Sequence, residues 1–142
     1  MKKFVYKMQS VLNIKEKLEE QEKARYAAAL AKLNEEEEKL SQLYDRRAAC
    51  EERLRESVGA SLNVMAIRHN EDALETLKDF IGRQKLSVKK AQDNVDAAMH
   101  RLREAMAERK THERLKEKAF EEYLAEQNAE EQKEIDDLVS YR

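Results

Sequence analysis

The side chains in this sequence whose types could do chemistry are three histidines, one cysteine and runs of carboxylates. His69, His100 and His112 are far apart, and none lies three residues after a Glu as the helical metal motif of carboxylate-bridged bundles requires. Glu104, Glu108 and His112 do line one helical face at four-residue steps. A metal needs ligands converging from several helices, so a single stripe of this kind reads as a solvated charged face. Cys50 stands alone and cannot form an intrachain disulfide, which fits a reducing compartment and a small apolar filler on a helix. The sequence has no glycine-rich phosphate loop, no zinc-ligand spacing and no nucleophile elbow. The expectation is a protein with no catalytic residue, no cofactor, no metal and no small-molecule substrate.

Any element that positions these residues must be helical. The 142 residues include two glycines and no proline, which removes the turn chemistry that sandwiches, barrels and α/β folds need at their corners. A hydrophobic share of 41 % rich in alanine, against 41 % charged, is too little bulk for a multilayer globule and enough for a thin two-helix core. The longest apolar run, Tyr26 to Ala31, is far short of the roughly 20 residues of a membrane span. Met1-Lys2-Lys3-Phe4 is basic but leads into no apolar segment, so a cytoplasmic location is expected. Net charge is only −2, and any electrostatic partner must be met by local patches. Lys85, Lys89, Lys90 and the basic stretch 101 to 118 hint at nucleic acid, but interleaved Glu and a lack of nearby aromatics argue against it.

Apolar residues recur at heptad spacing in two arms. Val5, Leu12, Tyr26, Leu33, Leu40 and Leu54 share one position of the first, with Glu19 and Arg47 as polar interruptions, and Met8, Ala29, Leu43 and Cys50 share the second. In the second arm Ile67, Leu74, Ile81, Val88, Val95 and Leu102 recur without a gap, flanked by Leu77, Ala91, Ala98 and Ala105. This predicts an all-α fold, an antiparallel two-helix coiled-coil hairpin, as one domain over 1–142. Helix 1 is expected over about 3–57, a connector over about 58–70 and a longer helix 2 over about 70–138. Gly59 is expected to close the first helix in the left-handed conformation. Ser61 or, better, Asn70 followed by Glu71 and Asp72 would start the second. Gly82 suggests a close contact or slight bend.

If the chain folds back near residue 60, positions whose numbers sum to about 120 face each other. Glu35 to Glu38 then meet Arg83 and Lys85, and Arg46 and Arg47 meet Glu71 and Asp72. On this count the first arm ends opposite about residue 117, leaving the rest of the second arm without a partner. Residues 101 to 118 carry seven Lys or Arg against four Glu, while 119 to 137 carry eight Asp or Glu against Lys133 alone. Such an end is either a solvated helix or a docking tip. The hairpin is expected to be monomeric by itself.

The stretch Phe4-Val5-Tyr6-Lys7-Met8-Gln9-Ser10-Val11-Leu12-Asn13-Ile14-Lys15-Glu16 near the start, and Glu108-Arg109-Lys110-Thr111-His112-Glu113-Arg114-Leu115-Lys116-Glu117-Lys118 through Tyr123 to Glu131-Gln132-Lys133-Glu134-Ile135-Asp136 near the end, together resemble the flagellar export protein FliJ family over the whole length. His112 stands where an apolar residue is expected in that pattern. The resemblance implies a component of the flagellar type III export apparatus, similar to the central stalk of rotary ATPases and held at the cytoplasmic side of the membrane. It would bind the hexameric export ATPase, the cytoplasmic domain of the export gate and export chaperones, promoting ring assembly and coupling. The resemblance implies an ATPase-binding tip at Arg109, Lys110, Arg114, Lys116, Tyr123, Gln132 and Lys133. It also implies an export-gate patch at Leu43, Arg46, Cys50, Ala73, Leu77, Phe80 and Gln84, where Arg46, Cys50 and Ala73 replace bulkier aromatics. The alternatives are a generic structural coiled coil such as an injectisome stalk relative, and a nucleic-acid-associated rod.

Overall fold

The computed structural model describes residues 3–60 and 63–141. Among these there are two helices, α1 (Gln9–Ala60) and α2 (Val64–Ser140), of 52 and 77 residues. They pack against each other as an all-α hairpin with the longer helix second. The chain divides into two compact units, Met1–Lys23 with Arg101–Arg142, and Ala24–His100.

In the unit Ala24–His100, residues from the two helices meet in descending order, Leu33 with Ala91 and Val95, Glu36 with Gln84, and Cys50 with Asn70, which makes the pairing antiparallel. Leu33, Ala91 and Val95 form a buried cluster, and Tyr26, Ala29, Leu30 and Val88 pack on it. Ile81 and Ala98 are buried on the same heptad tracks of α2. Small Ala91 and Ala98, alternating with branched Val88 and Val95, let the two backbones approach. The polar residue Glu36 sits on the same seam, 8 % exposed, where Gln84 Nε2 donates to its backbone oxygen at 2.9 Å and to its carboxylate.

The unit of Met1–Lys23 with Arg101–Arg142 is antiparallel by the same test, with Phe4 on Phe120, Lys15 on Glu108 and Glu22 near Arg101. Residues 3–6 are extended, a turn at 7–8 follows, and the Gln9 amide donates to the Tyr6 carbonyl at 3.1 Å. Leu12 is buried and Glu19, 5 % exposed, is the buried charge of this unit.

Several expectations require correction. Gly59 is helical, and no described residue has a positive φ; α1 simply runs on to Ala60. The start of α2 is not Asn70 but Val64, where the Asn63 side chain accepts from the amides of Met65 at 3.1 Å and Ala66 at 3.3 Å. That is the N-cap bond, and it satisfies amides that a helix start otherwise leaves open. Ser61 lies outside the described residues. Asn70 is inside α2, donating to Ser57 Oγ at 3.3 Å while its carbonyl accepts from Cys50 Sγ, so its amide serves helix pairing and not capping. Glu71 and Asp72 consequently miss the first turn of α2. Gly82 has open space around it and marks no close contact. The expected charge pairs at Glu35–Glu38 and at Arg46 and Arg47 are replaced by pairs along α1, Glu35 and Glu36 with Lys32 and Lys39, and Arg47 with Glu51. These i,i+3 and i,i+4 partners share one helix face and need no second helix to hold them.

Three substitutions test this architecture. Val95→Asp places a charge in a 4 % exposed position and should cost about 3 kcal/mol or more. Val139→Asp, at 67 % exposed, should change thermal melting by no more than about 0.5 kcal/mol. Gly82→Ala should raise the melting temperature, because a helical glycine with open space gains about 0.5–1 kcal/mol on receiving a methyl group.

Candidate functional site

Within the unit Ala24–His100, α1 supplies Leu43 and Cys50 at successive heptad positions, and α2 supplies Ala73, Leu77 and Phe80 beside them. Because Cys50 and Ala73 are small, the surface between the helices dips into a concavity of about 430 Å³, with Arg46, Arg53 and Thr76 completing its lining. Six of the seven residues expected in an export-gate patch are thus brought together here. Cys50 forms the floor at 2 % exposure, its thiol donating to the Asn70 carbonyl at 3.6 Å. Phe80 stands at the rim, 47 % exposed, with the Arg83 guanidinium 5.7 Å from its ring centre. The seventh residue, Gln84, is turned to Glu36 and does not line the concavity. Arg53 and Thr76 were missed by the sequence reading. Arg53 falls seven residues after Arg46, and that heptad step was a signal for it.

Residues assigned from sequence to a binding tip separate into two groups. Continuing the seven-residue steps of α2 from Leu102 reaches Arg109, Lys116 and Tyr123, and all three are half-buried. Arg109 Nε donates to the carboxylate of buried Glu19, and its Nη1 reaches Glu113 at 2.8 Å. Those hydrogen bonds, Glu113 first and Glu19 second, raise the guanidinium pKa above its ordinary value. Lys23 also approaches Glu19, at 3.7 Å. Tyr123 packs on Phe4, ring centres 5.4 Å apart, and Phe4 meets Phe120 edge-on at 5.1 Å. The second arm therefore remains partnered beyond residue 117, since an extended N-terminal segment reaches further along α2 than helix counting allows. Lys110, Arg114, Gln132 and Lys133 are exposed, and Gln132 donates to Asp136 one turn on at 3.1 Å. Every residue from 128 to 141 is exposed, including Ile135, Leu138 and Val139.

In the carboxylate–histidine stripe Glu104 and Glu108 are exposed and His112 is half-buried. Lys15 Nζ donates to Glu108 at 2.9 Å, and this bond holds the Glu108 carboxyl below the usual carboxylate range. His112 is half-buried with its Nδ1 enclosed and unpartnered. Among the described residues, no three His, Cys, Asp or Glu are grouped to hold a metal ion.

Arg109→Ala should lower the melting temperature, because it strips buried Glu19 of its cross-helix partner, whereas Lys110→Ala with Arg114→Ala should leave it unchanged. Replacing the pair together, Glu19→Leu with Arg109→Leu, should recover much of the loss in a double-mutant comparison. Acid sensitivity has a defined source at Glu36, whose carboxyl is held low by Gln84 first and then Lys32. A carboxylate ionised more readily when folded contributes stability that is complete above the ordinary carboxylate pKa and lost as pH falls through the depressed folded value. Thermal melts of Glu36→Gln should therefore converge on those of the parent below the carboxylate range and fall short of them near neutrality.

Comparison with known proteins gives one finding. A family model described as "Flagellar FliJ protein" matches residues 3–142. Neither the curated proteins nor the solved structures give a match. With nearly the whole chain covered, and with the two-helix hairpin that the sequence resemblance implied, the chain belongs to the flagellar FliJ family.

Proposed function

We propose that this chain is a non-catalytic stalk and adaptor of the flagellar type III export apparatus, working at the cytoplasmic side of the membrane. It binds the hexameric export ATPase through the far part of α2 and the cytoplasmic domain of the export gate through the concavity around Leu77 and Phe80. Export chaperones meet the same adaptor. Its action is mechanical, promoting assembly of the ATPase ring and coupling it to the gate. The observation that carries this reading is the family match over residues 3–142. Two surfaces left free by the helix seam support it. Residues 128–140 of α2 are all exposed, with Ile135, Leu138 and Val139 standing among acidic side chains. The concavity is lined by apolar side chains and two arginines. No helix among the described residues is long and apolar enough to cross a membrane.

ATPase stimulation and gate binding test the two halves of the proposal separately. Ile135→Asp with Leu138→Asp should abolish stimulation of the ATPase, and Lys110→Ala with Arg114→Ala should weaken it and flatten its salt dependence. Both variants should melt like the parent, since none of these residues is in the seam. Leu77→Ala with Phe80→Ala should lose the gate domain and keep the ATPase. Full stimulation by the Ile135 and Leu138 variant would remove the far part of α2 from the ATPase interface.

A further inference from the structure

The rim of the concavity carries a charge arrangement that the helix pairing does not use. Arg47, Arg55 and Arg83 close by are all engaged, with Glu51, Glu52 and the Phe80 ring respectively. Arg46 and Arg53, by contrast, take part in no ion pair and no ring contact among the described residues, and both are exposed. They lie seven residues apart on one face of α1, about 10 Å along the helix. The chain carries 30 Asp and Glu, yet not one carboxylate lines this concavity. An apolar floor is therefore flanked along one side by two guanidinium groups that have no ion-pair partner among the described residues.

We propose that the concavity seats a single amphipathic helix of a partner protein, with bulky apolar side chains toward Leu77 and Phe80 and carboxylates seven residues apart toward Arg46 and Arg53. This rests on the reading above, in which the same face meets the export gate, and it specifies the chemistry of what docks there. A third helix laid in the groove between two others packs at the usual helix spacing and covers the exposed part of Phe80. Its heptad repeat matches the separation of the arginines, so each guanidinium meets one carboxylate bidentately. A nucleic-acid strand would use the arginines and leave the floor at Leu43 and Leu77 uncovered, with Phe80 alone to stack a base.

The test uses overlapping 25-residue peptides tiled across the cytoplasmic region of the export gate and across the export chaperones, probed with the full-length protein. The parent should be captured by tiles that pattern as acidic amphipathic helices. Arg46→Glu with Arg53→Glu should bind those tiles about tenfold or more weakly at low salt, and should recover on tiles whose flanking Glu are changed to Lys. Equal capture of the parent and this variant, capture through uncharged or basic tiles, no capture at all, or preference for a single-stranded oligonucleotide would each overturn the inference. The two readings fail differently. Gate-domain binding that is lost in Leu77→Ala with Phe80→Ala but untouched by the arginine reversals overturns the helix chemistry and leaves the gate assignment. Charge-dependent capture by chaperone tiles only, with the intact gate domain bound equally by all variants, overturns the gate assignment and leaves the helix chemistry.

Discussion

The pairing of two buried carboxylates, Glu19 with Arg109 and Glu36 with Gln84, is the constraint on which the helix register depends. A two-helix seam buries one narrow strip per helix, and the buried apolar residues described are seven, three of them the small Cys50, Ala91 and Ala98. A strip of Leu, Val and Ala at heptad spacing packs nearly as well after a slip of one heptad, because similar side chains recur every seven residues. A buried carboxylate resists the slip. Moving α2 by seven residues would set Glu36 opposite Leu77 or Ala91 in place of Gln84, and Glu19 opposite Leu102 in one direction, while Lys116 in the other would still offer it a cation. Lys23 and Lys32 stay beside these carboxylates on α1, so what the slip forfeits is the cross-helix hydrogen bond to a buried charged group, and that loss favours one register where apolar contacts leave it loose. Each compact unit carries one such layer.

What these layers consume and what they leave free decides where partners can bind. Arg109 and Lys116 look like part of a basic block in sequence, but their heptad position turns them into the seam. Lys110 and Arg114, one residue beyond Arg109 and two before Lys116, face outward. The same division holds for the acids. Glu108 is held by Lys15, whereas the acidic residues beyond residue 128 remain exposed along α2. For a flagellar export-associated protein, the surface open to other components is thus what remains after the helices have satisfied each other.

Substituting small side chains into a helix seam has a geometric consequence of its own. Cys50 and Ala73 leave space that an aromatic would fill, and the surface sinks between Leu43, Leu77 and Phe80. The thiol stays buried against the Asn70 carbonyl and acts as filler. Asn70 joins the two helices by accepting this weak bond and donating to Ser57, so a residue with strong capping propensity is spent on helix pairing. Capping falls to Asn63, whose side chain accepts from the amides of the second and third residues of α2, Met65 and Ala66.

The sequence alone determined the helical class and the apolar seam, because these follow from periodicity, a local property of Leu33, Val88, Val95 and their neighbours, and it indicated the fold-back through the interruption of that pattern near residue 60. It also carried the family resemblance. Tertiary structure decided which charges are buried. Glu19, Glu36 and Arg109 have the same side chains as dozens of solvated residues in this chain, and counting apolar positions marks Glu19 as an interruption and passes over the other two. Only a facing helix shows that these three have partners across the seam, whereas the other interruption, Arg47, is exposed and pairs along α1. The helix ends were legible to within about six residues: α1 starts at Gln9 and not near residue 3, because residues 3–6 are extended, and the ends at the turn were misplaced because the terminal propensities of Gly59 and Asn70, under about 2 kcal/mol, are overridden by packing. Six residues of the concavity could be named from sequence, but that they enclose a cavity, and that Arg53 joins Arg46 on its rim, follows from the distance between two helices.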